Sequence, residues 1–222
     1  EICTNSLRSK TITGGAWIFL ARFLRTVFQV VRTVILARLL APHDFGLFSI
    51  AVLVLALVQK FSNLGLMPAL IQKKGNIVPY LNSVWTVGVL KGCGLSLFLI
   101  VCAPLVGGFF DSPEIVSLVR IASVSLLLQS FSNVALVYFD KNLDYRRYFA
   151  FILAVTLTEL VVAVFSALIL RNVWAMLLGL LAGEFVACFL SYALHAYRPR
   201  FVLERDRLAE LFTYGKWLFV SS

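Results

Sequence analysis

Six runs of more than twenty mostly apolar residues succeed one another along this chain: Ile12 to Arg38, Phe45 to Leu66, Asn82 to Val106, Ile115 to Tyr138, Tyr148 to Leu170 and Val173 to Ala196. Each is long enough to cross a hydrocarbon core about 30 Å thick as a helix rising about 1.5 Å per residue. Lipid offers no partners to backbone N–H and C=O groups, so each run must satisfy its own. The expected fold is therefore all-α, a polytopic membrane helix bundle of six transmembrane helices. Composition agrees: the chain is 60% hydrophobic and 14% charged, with a mean hydropathy of +0.91, outside the range of soluble domains. The first run is too long, and followed by too many others, to be a cleaved signal peptide.

A net charge of +9 would point toward nucleic acid in a soluble protein, but here the charge is sorted by loop. With the amino terminus inside, twelve basic residues fall on the inner side: Arg8, Lys10, Lys73, Lys74, Lys141, Arg146, Arg147, Arg198, Arg200, Arg205, Arg207 and Lys216. The opposite loops hold only Arg38 and Arg171, with Asp44, Asp111 and Glu114 beside them. That asymmetry predicts a cytoplasmic amino terminus. The inner basic excess then meets anionic lipid headgroups, with no nucleic acid involved.

The first run departs from an ordinary span. It contains Arg22, Arg25 and Arg32, which fall within about 80° of one another on a helix turning about 100° per residue. Gln29, Thr26 and Thr33 fall on or beside the same stripe. An arginine in hydrocarbon costs several kcal/mol, so such residues face a bundle interior or a water-filled cavity. Arg22, Arg25, Gln29 and Arg32 are accordingly the candidate anion-binding residues, lining a cavity. The competing structural reading is that the arginines pair with carboxylates of the fold or snorkel to an interface. Snorkelling suits Arg25 least, since it sits near the middle of the run.

Four other charged residues lie inside apolar sequence: Lys91, Arg120, Glu159 and Glu184. The favoured reading is that Glu159 and Glu184 pair with Arg120 or Lys91, the alternative being proton or cation coupling. Lys60, near the end of its run, is expected to snorkel. Cys3, Cys93, Cys102 and Cys188 have neither metal nor redox spacing, and His43 and His195 have no second ligand nearby, so no metal or cofactor is called for. There is also no enzyme signature: no Gly-x-Ser-x-Gly elbow, no His-Glu-x-x-His, no phosphate-binding glycine loop. Asp140 and Asp144, the nearest approach to an acidic cluster, stand among Lys141, Arg146 and Arg147 and read as loop charge. Gly88-x-x-x-Gly92 and Gly179-x-x-x-Gly183 have the small-residue spacing of close helix packing.

Beyond the sixth run, Phe201 to Phe212 alternates charged and apolar residues, which predicts a helix along the cytoplasmic interface. Gly215-Lys216-Trp217-Leu218-Phe219-Val220 then echoes Gly15-Ala16-Trp17-Ile18-Phe19-Leu20. Each follows a basic stretch and opens an apolar run, as an internal repeat would. The expected organisation is an N-terminal six-helix lobe over residues 1–197, a cytoplasmic linker over 198–214, and the start of a second six-helix repeat at 215–222. On this reading the chain is a fragment of a longer protein.

More specific landmarks begin after the first run. Ala37-Arg38-Leu39-Leu40-Ala41-Pro42-His43-Asp44-Phe45-Gly46-Leu47 is followed by Leu64-Gly65-Leu66-Met67-Pro68-Ala69-Leu70-Ile71-Gln72, Leu81-Asn82-Ser83-Val84-Trp85 and Leu143-Asp144-Tyr145-Arg146-Arg147. In order and spacing this series resembles the polysaccharide-transport (O-antigen flippase, Wzx-like) family of the multidrug/oligosaccharidyl-lipid/polysaccharide exporter superfamily. The resemblance implies two pseudosymmetric six-helix lobes around a cavity that opens alternately to either side of a bacterial inner membrane. The implied cargo is a polyprenyl-diphosphate-linked oligosaccharide for O-antigen, lipopolysaccharide or exopolysaccharide synthesis. The resemblance also implies a cationic cavity to whose lining helix one contributes, with Arg22, Arg25 and Arg32 as the residues by which this sequence would supply the cations. The implied partners are that lipid-linked cargo, membrane lipids and other polysaccharide-assembly membrane proteins. One departure is Asn63, where the family often has an acidic residue. The rival readings are a drug exporter of the same superfamily, whose organic cations the arginine seam would repel, and a membrane-embedded glycan-processing enzyme.

Overall fold

The computed structural model describes residues 2–62, 70, 78–138, 145–195, 197–202 and 204. All regular structure among them is helical: α1 (Ile2–Leu39), α2 (Pro42–Phe61), α3 (Val78–Phe109), α4 (Pro113–Ala122), α5 (Val124–Phe131), a 3-10 turn at Val134–Leu136, α6 (Tyr145–Leu170) and α7 (Trp174–Ala193). Five stretches are long and apolar enough to cross a membrane, with α4 and α5 counting together as Pro113–Phe131. The expected first span is not among the five. The helix α1 is long enough at 38 residues, but Arg22, Arg25 and Arg32 interrupt its apolar run.

The fourth span also differs from the expected continuous Ile115 to Tyr138. Ser123 breaks it, donating its hydroxyl to the Arg120 carbonyl (2.6 Å) and accepting from Ser96 on α3 (3.2 Å). Its helical part ends at Phe131, and Asn133 opens the 3-10 turn by accepting from the Ala135 N–H (3.0 Å). Asn133 is fully buried and satisfied: its N–H reaches Ser191 and its Nδ2 the Tyr197 carbonyl, both at 2.8 Å.

Short connections make the helices run up and down. The chain reverses between α1 and α2, between α3 and α4, and between α6 and α7, and these three loops gather at one end of the bundle. Asp44 ties two of them. Its Oδ2 accepts from the Ala41 N–H at the start of α2 (3.1 Å), and its Oδ1 accepts from the Val173 N–H at the start of α7 (3.0 Å). A carboxylate between two helix N-termini satisfies orphan donors and opposes two macrodipoles. Asp44→Ala should therefore lower stability by about 1–2 kcal/mol, read as a reduced melting temperature of the purified protein in detergent. An unchanged melting temperature would show that the two bonds contribute nothing.

Lateral packing follows a different order from the sequence. The helix α1 lies on α6, α6 on α7, α7 on α5, the α4–α5 pair on α3, and α2 on α4. One apolar core joins α2, α3, α4, α5 and α7 around Leu55, Leu99, Leu118 and Leu177; a second joins the end of α1 to α6 and α7 through Leu36, Ala163, Ala167 and Met176. Because lipid is as apolar as these cores, close contact rather than water exclusion holds the helices together. At α6–α7 small residues let the two helices approach closely. A Cβ added at Gly179 would stand 2.6 Å from the Ala163 Cβ and 3.0 Å from the Glu159 carbonyl oxygen, and one at Gly183 3.3 Å from the Glu159 Cβ.

The segment after α7 is not helical where it is described, contrary to the helix expected from Phe201. Its backbone donors are taken by side chains of α3: Arg200 N–H by Asn82 Oδ1 (2.9 Å), Val202 N–H by Thr86 Oγ1 (3.2 Å) and Glu204 N–H by Ser83 Oγ (3.2 Å). Tyr197 donates its hydroxyl to the same Asn82 oxygen (2.6 Å), and the Phe201 ring lies 4.7 Å from that of Trp85. The chain is thus strapped along α3. Asn82→Ala removes the acceptor shared by two donors, and a disulfide between cysteines placed at Thr86 and Val202 should then form several-fold more slowly. Equal rates would mean that Asn82 does not hold the strap. The remainder of the linker and the echo at Gly215 lie outside the described residues, as do Asn63 and most of the second landmark.

Candidate functional site

The cationic stripe of α1 straddles the margin of its contact with α6, and the three arginines meet three different environments. Ala21, Leu24 and Phe28 face Phe149, Ile152, Leu153 and Thr156 of α6, with Arg25 at the rim of that contact. On a helical wheel of about 100° per residue, Arg32 falls nearest the packed face, Arg25 at its edge and Arg22 beyond it. Burial follows the same order. Arg32 is about one-fifth exposed, whereas Arg22 and Arg25 are exposed. Gln29 is half-buried on the same stripe, and Thr26 and Thr33 turn their hydroxyls back to the Arg22 and Gln29 carbonyls.

Arg32 forms an ion pair with Glu159 of α6, its Nη1 donating to Oε1. The partner expected for Glu159 was Arg120 or Lys91; the structure gives it Arg32 instead. The close approach of Gly179 and Gly183 sets α7 directly against the turn that carries Glu159. Arg120 is exposed and, among the described residues, has no ion pair. Lys91 is half-buried on α3, and its Nζ points to the Ser62 carbonyl at 3.4 Å.

Glu184 on α7 is likewise held by a group the sequence did not single out. Gln129 of α5 donates Nε2 to Glu184 Oε1 (2.8 Å) and accepts on its own Oε1 from Gln59 Nε2 of α2 (3.0 Å). Gly183, next to Glu184, packs against the Glu159 side chain, where an added Cβ would stand 3.3 Å from the Glu159 Cβ. A polar layer therefore crosses the bundle, from Arg32 and Glu159 through Glu184 and Gln129 to Gln59, drawing on five helices. Gln59 and Gln129 carried one signal in sequence, a primary amide inside an apolar run, where an unpaired amide is costly.

Arg22 and Arg25 are left without a carboxylate at ion-pair distance among the described residues. Two guanidinium groups three residues apart on one helix can offer several N–H donors to the oxygens of one anion.

A family model described as "Polysaccharide biosynthesis protein" matches residues 35–222. The chain belongs to that polysaccharide biosynthesis protein family. Among its relatives, the succinoglycan biosynthesis transport protein ExoT of Rhizobium meliloti is 27% identical over 215 residues, 96% of this chain and 44% of that protein. The lipopolysaccharide biosynthesis protein WzxC of Escherichia coli is 23% identical over 219 residues, 98% of this chain and 44% of the relative. The teichuronic acid biosynthesis protein TuaB of Bacillus subtilis is 22% identical over 217 residues, 95% and 44% respectively. The chain thus spans less than half the length of these relatives. No solved structure matches it. The Wzx-like resemblance read from the landmarks is borne out, and with it the assignment to a polytopic membrane family of polysaccharide biosynthesis.

Proposed function

We propose that this chain forms one lobe of a transporter that moves a polyprenyl-diphosphate-linked oligosaccharide across a bacterial inner membrane by alternating access. The observation that carries the reading is the division of the arginines: Arg32 is committed to Glu159, while Arg22 and Arg25 stand exposed among exposed apolar side chains such as Phe19, Phe23, Val27 and Val30. A diphosphate cannot cross hydrocarbon unaided, and cations inside a membrane protein mark anion pathways. The prenyl tail need not leave the lipid. A cationic surface open sideways to the bilayer lets the head group cross while the tail stays behind. Arg22, Arg25 and Gln29 are the proposed head-group contacts, and Arg32 acts through its ion pair to set the position of α1. The printed names of the relatives support the class of cargo, since they speak of transport and of succinoglycan, lipopolysaccharide and teichuronic acid biosynthesis.

In this reading the end where Asp44, Glu114 and Val173 meet is periplasmic, as the sparse basic charge of its loops requires. The second lobe of the full-length protein supplies the opposing wall of the cavity. Reconstitution of the full-length protein into liposomes with a labelled lipid-linked oligosaccharide tests the proposal. An impermeant sugar-oxidising reagent should consume label from both leaflets. Oxidation of the outer-leaflet pool alone, at every protein density, would refute it.

A further inference from the structure

A second recess, mostly apolar but holding a few polar side chains, lies away from the arginine seam. It is a cleft of about 290 Å³ between α2, α3 and α5, and no residue of α1 lines it. It sits near Ser62, at the end of the bundle opposite the Asp44 junction. Three features make it more than a packing defect.

The first is charge. Lys91 enters the cleft as a half-buried ammonium with one contact, the Ser62 carbonyl at 3.4 Å. Among the described residues no Asp or Glu comes within ion-pair distance of it, and the neighbouring stretch 63–77 contains neither residue type. A cation in a membrane-spanning helix that lacks a carboxylate calls for an anion from elsewhere.

The second is hydrogen-bonding capacity. Gln59 and Gln129 both line the cleft, and their mutual bond uses one N–H of Gln59, leaving its carbonyl and second N–H to face a ligand. Ser130 adds a hydroxyl oxygen on the same wall.

The third is the empty space itself. Gly88 and Gly92 share the small-residue spacing read as a helix contact, yet only Gly92 serves one: a side chain there would collide with Ser130. A Cβ at Gly88, one turn earlier, would meet nothing within 4 Å. Glycine is a poor helix former, and at position 88 no neighbour among the described residues requires it. Its effect is to keep the cleft open beside Lys91.

We infer that this cleft binds one anionic, hydroxyl-bearing headgroup, with its phosphate or carboxylate on the Lys91 ammonium and its hydroxyls on Gln59 and Gln129. The volume is at the small end of ligand pockets, which run from about 300 to 1,000 Å³, so it admits a single headgroup and not an oligosaccharide. A compact ammonium is suited to a phosphate or carboxylate oxygen as a point charge. Two sources have this chemistry: an anionic phospholipid of the bilayer and a phosphorylated sugar. The inference does not rest on the transport reading, because occupancy of the cleft is independent of whether cargo moves.

The test uses the full-length protein in detergent. Phosphatidylglycerol binding, with phosphatidylcholine as the neutral control, is counted by native mass spectrometry, and glucose 1-phosphate binding is followed by saturation-transfer NMR. At least one anionic probe should bind, and Lys91→Gln should weaken it about tenfold, the loss of a charge-assisted contact. Gly88→Leu, which fills the cleft, should do the same; Lys91→Arg should retain binding, and Arg120→Gln, an exposed arginine outside the cleft, should leave it unchanged. Response of phosphatidylglycerol alone identifies a bilayer lipid as the source, and response of glucose 1-phosphate alone identifies a sugar phosphate. If Gly88→Leu does not fold, the Lys91→Gln and Lys91→Arg pair decides. Failure of both probes to bind, binding unaffected by Lys91→Gln, or equal loss in Arg120→Gln would overturn the assignment.

Discussion

Arg32→Ala is expected to deplete the protein from the membrane, with any loss of glycan export following from the loss of protein. Its partner Glu159 is about one-fifth exposed and faces a close helix contact, where α7 presses Gly179 and Gly183 against α6. Removing the guanidinium leaves that carboxylate without its counter-charge inside the bundle, at a cost of about 3 kcal/mol. A loss of that size is a large part of a typical folding free energy. Glu159→Ala should deplete the protein too, since it strands Arg32 on the packed face of α1. Replacing both residues with methionine removes both charges while keeping bulk, and abundance should return to near the parent level. Quantitative membrane immunoblots of the full-length protein carrying each single change and the double change check this. Full abundance of Arg32→Ala would show that the pair does not hold α1 on α6.

Much of the bundle was legible before any coordinates, for a physical reason. Spans after the first announce themselves by length and apolarity, since lipid forces each to satisfy its backbone internally. Loop charge and short connections then give an up-and-down path, and the gathering of the loops around Asp44 agrees with that path. The first span was read correctly as a helix with a cationic stripe, but periodicity reports an angle on one helix only. It does not report where the neighbouring helix lies. Whether Arg32 or Arg25 is paired depends on α6 covering one edge of the stripe, and Glu159 is 127 positions away in sequence. Partners for Glu159 and Glu184 were sought among charges, whereas Glu184 is held by an amide, Gln129. Lone glutamines match no motif. At Phe201, Val202 and Glu204, the described part of the stretch expected to be helical, alternation of charge was outweighed by the supply of acceptors on Ser83 and Thr86.

The second large effect falls on Arg25. Being exposed at the rim of the α1–α6 contact and without an ion pair among the described residues, it contributes little to holding the bundle together. Arg25→Ala should leave membrane abundance within about a quarter of the parent, since exposed substitutions usually change stability by under about 0.5 kcal/mol. Surface glycan export should nonetheless fall by about tenfold or more, the scale expected for losing a charge-assisted contact to a phosphate. Arg25→Lys keeps the charge but loses the fork of donors, and should retain part of the export. Arg22→Ala should act in the same direction and more weakly, because Arg22 lies further from the packed face. Arg25 and Arg32 therefore separate: one change removes function from an abundant protein, the other removes the protein.

Direct binding tests the division of the arginines most simply. The purified full-length protein can be titrated with a short-chain polyprenyl diphosphate, and the dissociation constant compared for the parent, Arg25→Ala and the Arg32→Met/Glu159→Met double variant. The seam requires Arg25→Ala to bind about tenfold more weakly or worse and the double variant to bind as the parent does. Parent-like affinity in Arg25→Ala, or loss of affinity confined to the double variant, would contradict it.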